Sequence, residues 1–108
     1  MQFSTFHCDM VFVDGSKTFE GRLGSLISLR NASRKNTVVF MDEVTSQECV
    51  DGSIPQRDLK KRCAKLSPGY WPSVRAYNVA VNNKWLRVVE CAWPPLQKYD
   101  GICMGFFL

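Results

Sequence analysis

Few residues in this chain are placed to do covalent chemistry. His7 is the single histidine, so any Ser-His-Asp or Cys-His system must be built on it. Cys8 is its neighbour, but adjacent residues of a strand point to opposite faces, which leaves no ordinary dyad. The five cysteines, at 8, 49, 63, 91 and 103, are widely spaced and include no C-x-x-C pair. They are expected as free, mostly buried thiols rather than zinc ligands, and no metal centre is predicted. No Walker loop, dinucleotide fingerprint or nucleophile elbow is present. Asp42 and Glu43 follow an apolar run, with Glu48 and Asp51 further on, and strand-end carboxylates hold magnesium in nucleases. No lysine stands at a spacing that completes a recognised nuclease pattern. The expectation is a protein without catalytic residues and without a cofactor, a metal-dependent nuclease using Asp42 and Glu43 being the outside alternative.

Positive charge is the stronger signal. The formal net charge is +4, and five of the fourteen basic residues fall between Arg57 and Lys65. Arg57, Lys61 and Lys65 recur every four residues and stripe one side of a helix, with Lys60 and Arg62 beside them. Arg30, Arg34 and Lys35, together with Asn31, form a second cluster in a polar loop. Such clusters neutralise phosphates without reading bases, although a solvated amphipathic helix carries the same pattern. Tyr70 and Trp71 stand between two prolines, an aromatic pair in a stiffened loop suited to stacking on a base or anchoring in a partner's pocket. Their alternative is to fold back onto the core.

The elements that must position these residues read as mostly β. Phe6 to Val13 alternates with period two, a half-buried strand ending in the turn Asp14-Gly15-Ser16-Lys17. Thr18 to Arg30 reads as a long second strand, its apolar side being Phe19, Leu23, Ile27 and Leu29. Gly21 and Gly24 then mark a sharp bend within it. Thr37 to Met41 is β-branched and apolar, a third strand covered on both faces. Pro55 to Leu66 is predicted as a helix, with Leu59, Cys63 and Leu66 at helical spacing and Ser67-Pro68-Gly69 as its stop. Val74–Val81 and Trp85–Trp93 alternate around Asn82-Asn83-Lys84, a hairpin. Tyr99-Asp100-Gly101 turns the chain into a final apolar strand, Ile102 to Leu108. The predicted fold class is mainly β (α+β), a curled antiparallel sheet or small barrel of order β-β-β-α-β-β-β.

The run from Val11 to Asn31 resembles the first signature of Sm-like proteins, which are small, strongly bent five-stranded barrels. Asp14-Gly15 and Gly21-Arg22-Leu23 match that signature with one extra residue between them, and Asn31 stands where the family's loop asparagine would be. The resemblance implies a barrel and RNA contact at Asn31. The chain departs from it in having Ile27 where an aspartate is expected and no following Arg-Gly. The family's ring assembly and uridine site are therefore not carried over.

The length of 108 residues and the 45% hydrophobic, 22% charged composition suit a single domain, 1–108, with no linker and no repeat. The N-terminus lacks a basic region and a cleavage site, and no run is long enough to span a membrane, so an intracellular (cytoplasmic or nuclear) protein is expected. The expected function is a non-enzymatic binding module that contacts RNA or a ribonucleoprotein through Arg30, Asn31, Arg34, Lys35, Arg57, Lys61, Lys65, Tyr70 and Trp71. Its rival is a protein-interaction module, an adaptor or small viral-type inhibitor. That module would pair or homo-oligomerise through exposed β edges and the apolar residues Ile102, Met104, Phe106 and Phe107.

Overall fold

The computed structural model of the chain describes residues 8–14, 18–65, 68–95 and 101–108. His7, the Gly15–Lys17 part of the first turn, the helix end at Leu66-Ser67 and the Tyr99-Asp100 turn lie outside them.

Strand β1, Cys8–Val13, appears where alternation placed it. The next segment is not a strand. Phe19–Asn31 is a helix, α1, capped by the Thr18 hydroxyl, which accepts a hydrogen bond from the Gly21 N–H at 3.1 Å. Phe19, Leu23 and Ile27 are spaced by four as well as by even steps, so both periods fit them. What decides is Leu26, buried on the same side as Arg22, while Ile27 faces water. The glycines that suggested a bent strand sit inside the helix. The Gly21-Arg22-Leu23 run of the Sm-like resemblance is thus helical.

Strand β2 is longer than predicted, Ser33–Val44, and takes in what was read as a polar loop. Because a helix now links them, β1 and β2 run parallel, as a crossover connection requires. A 3₁₀ turn, Gln47–Cys49, leads to helix α2, Gln56–Cys63, inside the predicted range. A second 3₁₀ turn, Pro68–Tyr70, leads to helix α3, Trp71–Asn82. This helix replaces the predicted strand 74–81. Its valines favour strands in isolation, but Pro72 in the first turn starts a helix, and Val74, Tyr77 and Ala80 bury one helical face. The residue with positive φ at its exit is Lys84, at 63°, rather than either asparagine.

Strands β3, Leu86–Ala92, and β4, Gly101–Phe107, fall close to where the sequence put them. The sheet is open and mixed, in order β1-β2-β4-β3, with β4 antiparallel to both neighbours. It is neither the antiparallel curl nor the barrel expected. The coarser α+β reading holds. Gly105 is fixed by this arrangement, since a Cβ there would collide with the Arg87 carbonyl of β3.

The three helices among the described residues lie on one face of the sheet. Val11, Val13, Val39, Met41, Leu86, Cys103 and Phe107 point from the sheet into a core closed by Leu26, Leu59, Val74, Tyr77 and Ala80. Four cysteines, expected as free thiols, are paired: Cys49 with Cys63, and Cys91 with Cys103 across β3 and β4. Among the described residues no helix is long and apolar enough to cross a membrane.

Candidate interaction surfaces

The predicted nucleic-acid residues do not form one site. Arg30 is in the last turn of α1, where its guanidinium donates to the Leu108 carbonyl at 3.1 Å. Asn31 ends that helix, and Arg34 and Lys35 open β2, all three exposed. From Arg34 to Val44 the strand advances about 33 Å before the turn to α2 begins. Arg57, Lys61 and Lys65 are indeed exposed along and just beyond α2, as are Lys60 and Arg62. Arg62 approaches Glu48 at 3.6 Å and Arg57 approaches Asp58 at 3.9 Å, both in open solvent, where such pairs contribute little.

Helix α2 lies beside α3 across a groove. The Gln56 amide donates to the side-chain oxygen of the buried Asn78, whose own amide donates to the Cys49 carbonyl at 3.3 Å. Between the helices is a groove of about 420 Å3 lined by Gln56, Leu59, Lys60, Trp71 and Arg75. Trp71 therefore joins the α2 cations, half-buried and packed on the core, while the guanidinium of Arg75 lies 4.1 Å from the centre of the Phe19 ring. Tyr70 ends the 3₁₀ turn and is half-buried.

At the carboxyl ends of the parallel strands, Asp14, Asp42 and Glu43 bring carboxylate oxygens within 4.8 Å of one another. This is the edge of an α/β sheet where ligands commonly bind, and an all-oxygen set suits magnesium, manganese or calcium. The geometry also has an internal explanation. A bulge between Met41 and Val44 and a positive φ of 62° at Glu43 turn that side chain inward to the fully buried Arg22, 2.8 Å away. Arg22 donates as well to the Val13 carbonyl and the Tyr77 hydroxyl, each at 3.0 Å, and that hydroxyl donates to the Asp42 carbonyl at 2.7 Å. Asp42 accepts from the Glu43 N–H at 2.8 Å. Glu43 thus balances a buried guanidinium, whose charge would oppose a cation beside it. Asp14 and Arg22 were named from the sequence only in the first turn and the Sm-like signature, not as site residues. The signal was present in two apolar runs, VFV and VFM, each ending in aspartate, but only parallel strands set those ends side by side.

The remaining surface is the sheet face away from the helices. On β1 it carries Met10 and Phe12, 66% and 55% exposed; on β2, Val38 and Phe40; on β4, Ile102, Met104 and Phe106. Phe12 and Phe40 stack with centroids 5.9 Å apart. β3 places Arg87 beside Phe106 and Glu90 beside Met104, and carries Val89, 45% exposed, at the bulge between them. The predicted interface residues Ile102, Met104 and Phe106 belong to this face. Phe107 does not: at 2% exposed it is core.

No protein-family model, curated protein or solved structure matches the chain.

Proposed function

We propose that this chain is a non-enzymatic binding module whose working surface is the open face of its sheet, and that its partner is another polypeptide with a complementary apolar surface. The observation that carries this reading is the row of apolar outward side chains, Met10 and Phe12 on β1, Val38 and Phe40 on β2, and Ile102, Met104 and Phe106 on β4. A sheet with one face in water normally alternates apolar and polar residues. Apolar patches of this extent are a mark of interaction sites on folded proteins. Each square ångström covered contributes about 25 cal/mol.

The test uses the chain as bait in its native extract, in three forms: wild type, Phe12→Lys with Met104→Lys, and Lys61→Glu. Circular dichroism first establishes that all three are folded. A polypeptide retained by the wild type and Lys61→Glu but lost from the face variant supports the reading. Equal retention by all three overturns it.

RNA remains a second reading, favoured by one observation: the exposed cations of α2 border the groove that holds Trp71 and Arg75. It now rests on Arg57, Lys60, Lys61 and Lys65 without Arg30, Asn31, Arg34 and Lys35. Anisotropy of labelled single-stranded RNA at two salt concentrations tests it. About three phosphate contacts give a log–log salt slope near −2, which Lys61→Glu flattens.

A further inference from the structure

The groove between α2 and α3 joins groups that are rarely left together in water. Its volume, about 420 Å3, lies within the range of small-molecule sites. Its deepest residues are Leu59, which is buried, and Asn78, which is fully buried, with the half-buried Trp71 beside them. Lys60 on α2 and Arg75 on α3 supply one cation from each wall. Among the described residues no carboxylate lines it.

Those two cations differ from their neighbours. Arg57 and Arg62 each approach a carboxylate, at 3.9 and 3.6 Å. Lys60 and Arg75 make no ion pair or hydrogen bond among the described residues. The Arg75 guanidinium lies over the Phe19 ring, 4.1 Å from its centre, a contact that orients it and leaves the N–H groups at its edge to donate. Charge complementarity asks for an anion here, and a guanidinium held by stacking suits phosphate.

The amides say what that anion is attached to. The Asn78 side-chain oxygen already accepts from Gln56 and Asn82, and its amide donates to the Cys49 carbonyl. This network holds the Gln56 carboxamide by its nitrogen. The Gln56 Oε1 accepts no hydrogen bond among the described residues, so it is a fixed acceptor on the groove wall. An inorganic anion would leave the Trp71 indole and Leu59 unused. An acyl chain would cover them but give the Gln56 oxygen nothing to bond. A nucleotide uses all of these groups: its base stacks on an aromatic ring and offers hydrogen-bond donors at its edge.

We infer that the α2–α3 groove is a nucleotide site, in which Trp71 stacks the base, Gln56 accepts from its exocyclic amine, and Lys60 and Arg75 take the phosphate. An amine-bearing base is selected, adenine over uracil. The nucleotide is either free or one unit of a strand, and only the strand as source rests on the RNA reading above.

Titration of the full chain with AMP, UMP, ribose 5-phosphate and a ten-nucleotide oligo(A), read by calorimetry, tests this. The variants are Trp71→Leu, Gln56→Leu, Arg75→Met and Lys61→Glu, each shown to be folded by circular dichroism. AMP is expected to bind more tightly than UMP, and ribose 5-phosphate to bind about tenfold more weakly than AMP, the loss of one stacked base. Trp71→Leu weakens AMP by the same factor. Gln56→Leu weakens AMP about fivefold, abolishes the preference over UMP and leaves ribose 5-phosphate unchanged. Arg75→Met weakens AMP and ribose 5-phosphate alike, and Lys61→Glu, outside the groove, affects AMP less than Arg75→Met does. Trp71 also packs on the core, so if Trp71→Leu does not fold, the exposed Gln56 and Arg75 decide the question. AMP binding lost in the groove variants, with oligo(A) no tighter than AMP, establishes a free nucleotide as ligand and removes the RNA reading. Oligo(A) binding lost in the same variants supports the site with a strand as source. Salt-sensitive oligo(A) binding that Lys61→Glu weakens, but Gln56→Leu and Arg75→Met do not, keeps the RNA reading and overturns the groove. Ribose 5-phosphate bound as tightly as AMP, or no binding of AMP or oligo(A) at millimolar concentration, overturns the nucleotide site.

Discussion

Arg22 is the residue on which most of the molecule's parts converge. It reaches β1 through the Val13 carbonyl, β2 through Glu43 and α3 through the Tyr77 hydroxyl, with no exposed surface of its own. A buried ion pair of this kind gives little net stability, yet removing one partner strands the other. Arg22→Met is expected to cost about 3–5 kcal/mol in urea denaturation. Replacing Glu43 by leucine in the same chain restores part of that loss, since both charges are then gone. Tyr77 gives a pH signature. Its hydroxyl titrates well above the ordinary tyrosine range, chiefly because it is buried, with Arg22 pulling the other way. A pKa raised on folding means that the neutral form's stabilisation is whole below about pH 10, the unfolded value, and is lost as pH rises beyond it. The urea midpoint should fall above pH 10 in the wild type and fall less in Tyr77→Phe. At neutral pH that variant is weaker by about 1–2 kcal/mol for its lost hydrogen bonds.

Among the described elements, one disulfide ties a helix outside the sheet ladder and the other lies within the ladder. Cys49–Cys63 joins the 3₁₀ turn after β2 to the end of α2, and Cys91–Cys103 joins β3 to β4. Cys49, Cys63, Cys91 and Cys103 should escape alkylation until a reductant is added. Opening the loop of Cys49–Cys63, with a sequence separation of 14, should cost about 3 kcal/mol, read as a drop in Tm with Cys49→Ala, Cys63→Ala. Gly105→Ala should destabilise by about 1–3 kcal/mol, because β3 must move away from the new methyl group. Much of the element pattern was legible. β1, the heart of β2, α2, β3 and β4 each announced themselves through alternation, an apolar run or a proline start. The two failures share a cause. Phe19–Leu23–Ile27 and Ala76–Ala80 fit both a period of two and a period near four, and glycines in one and valines in the other favoured the strand locally. Packing against the sheet outweighed those preferences, through Leu26 in α1 and Tyr77 in α3.

At the scale of the whole molecule, misreading α1 had the larger consequence. A hairpin makes its strands antiparallel; a crossover helix makes them parallel, and with that change the aspartates ending the two runs meet and the sheet acquires a bare face. The sequence did show that Ile102, Met104 and Phe106 are apolar and alternate with others; it could not show that Met10, Phe12 and Phe40 stand beside them, because strand order is a long-range property. The isolated chain should bind an apolar fluorescent dye in its native state, with Phe12→Lys plus Met104→Lys reducing the signal several-fold and the far-ultraviolet spectrum unchanged. The edge of β1, unpaired among the described residues, bears also on the protein's life in the cell. An unassembled copy exposes the template for strand pairing and the surface that chaperones and proteases survey. Under the proposed function, its steady-state amount should follow that of a polypeptide docked on the face: excess copies turn over quickly, and raising that polypeptide's synthesis raises the level of this chain with no change in its own messenger.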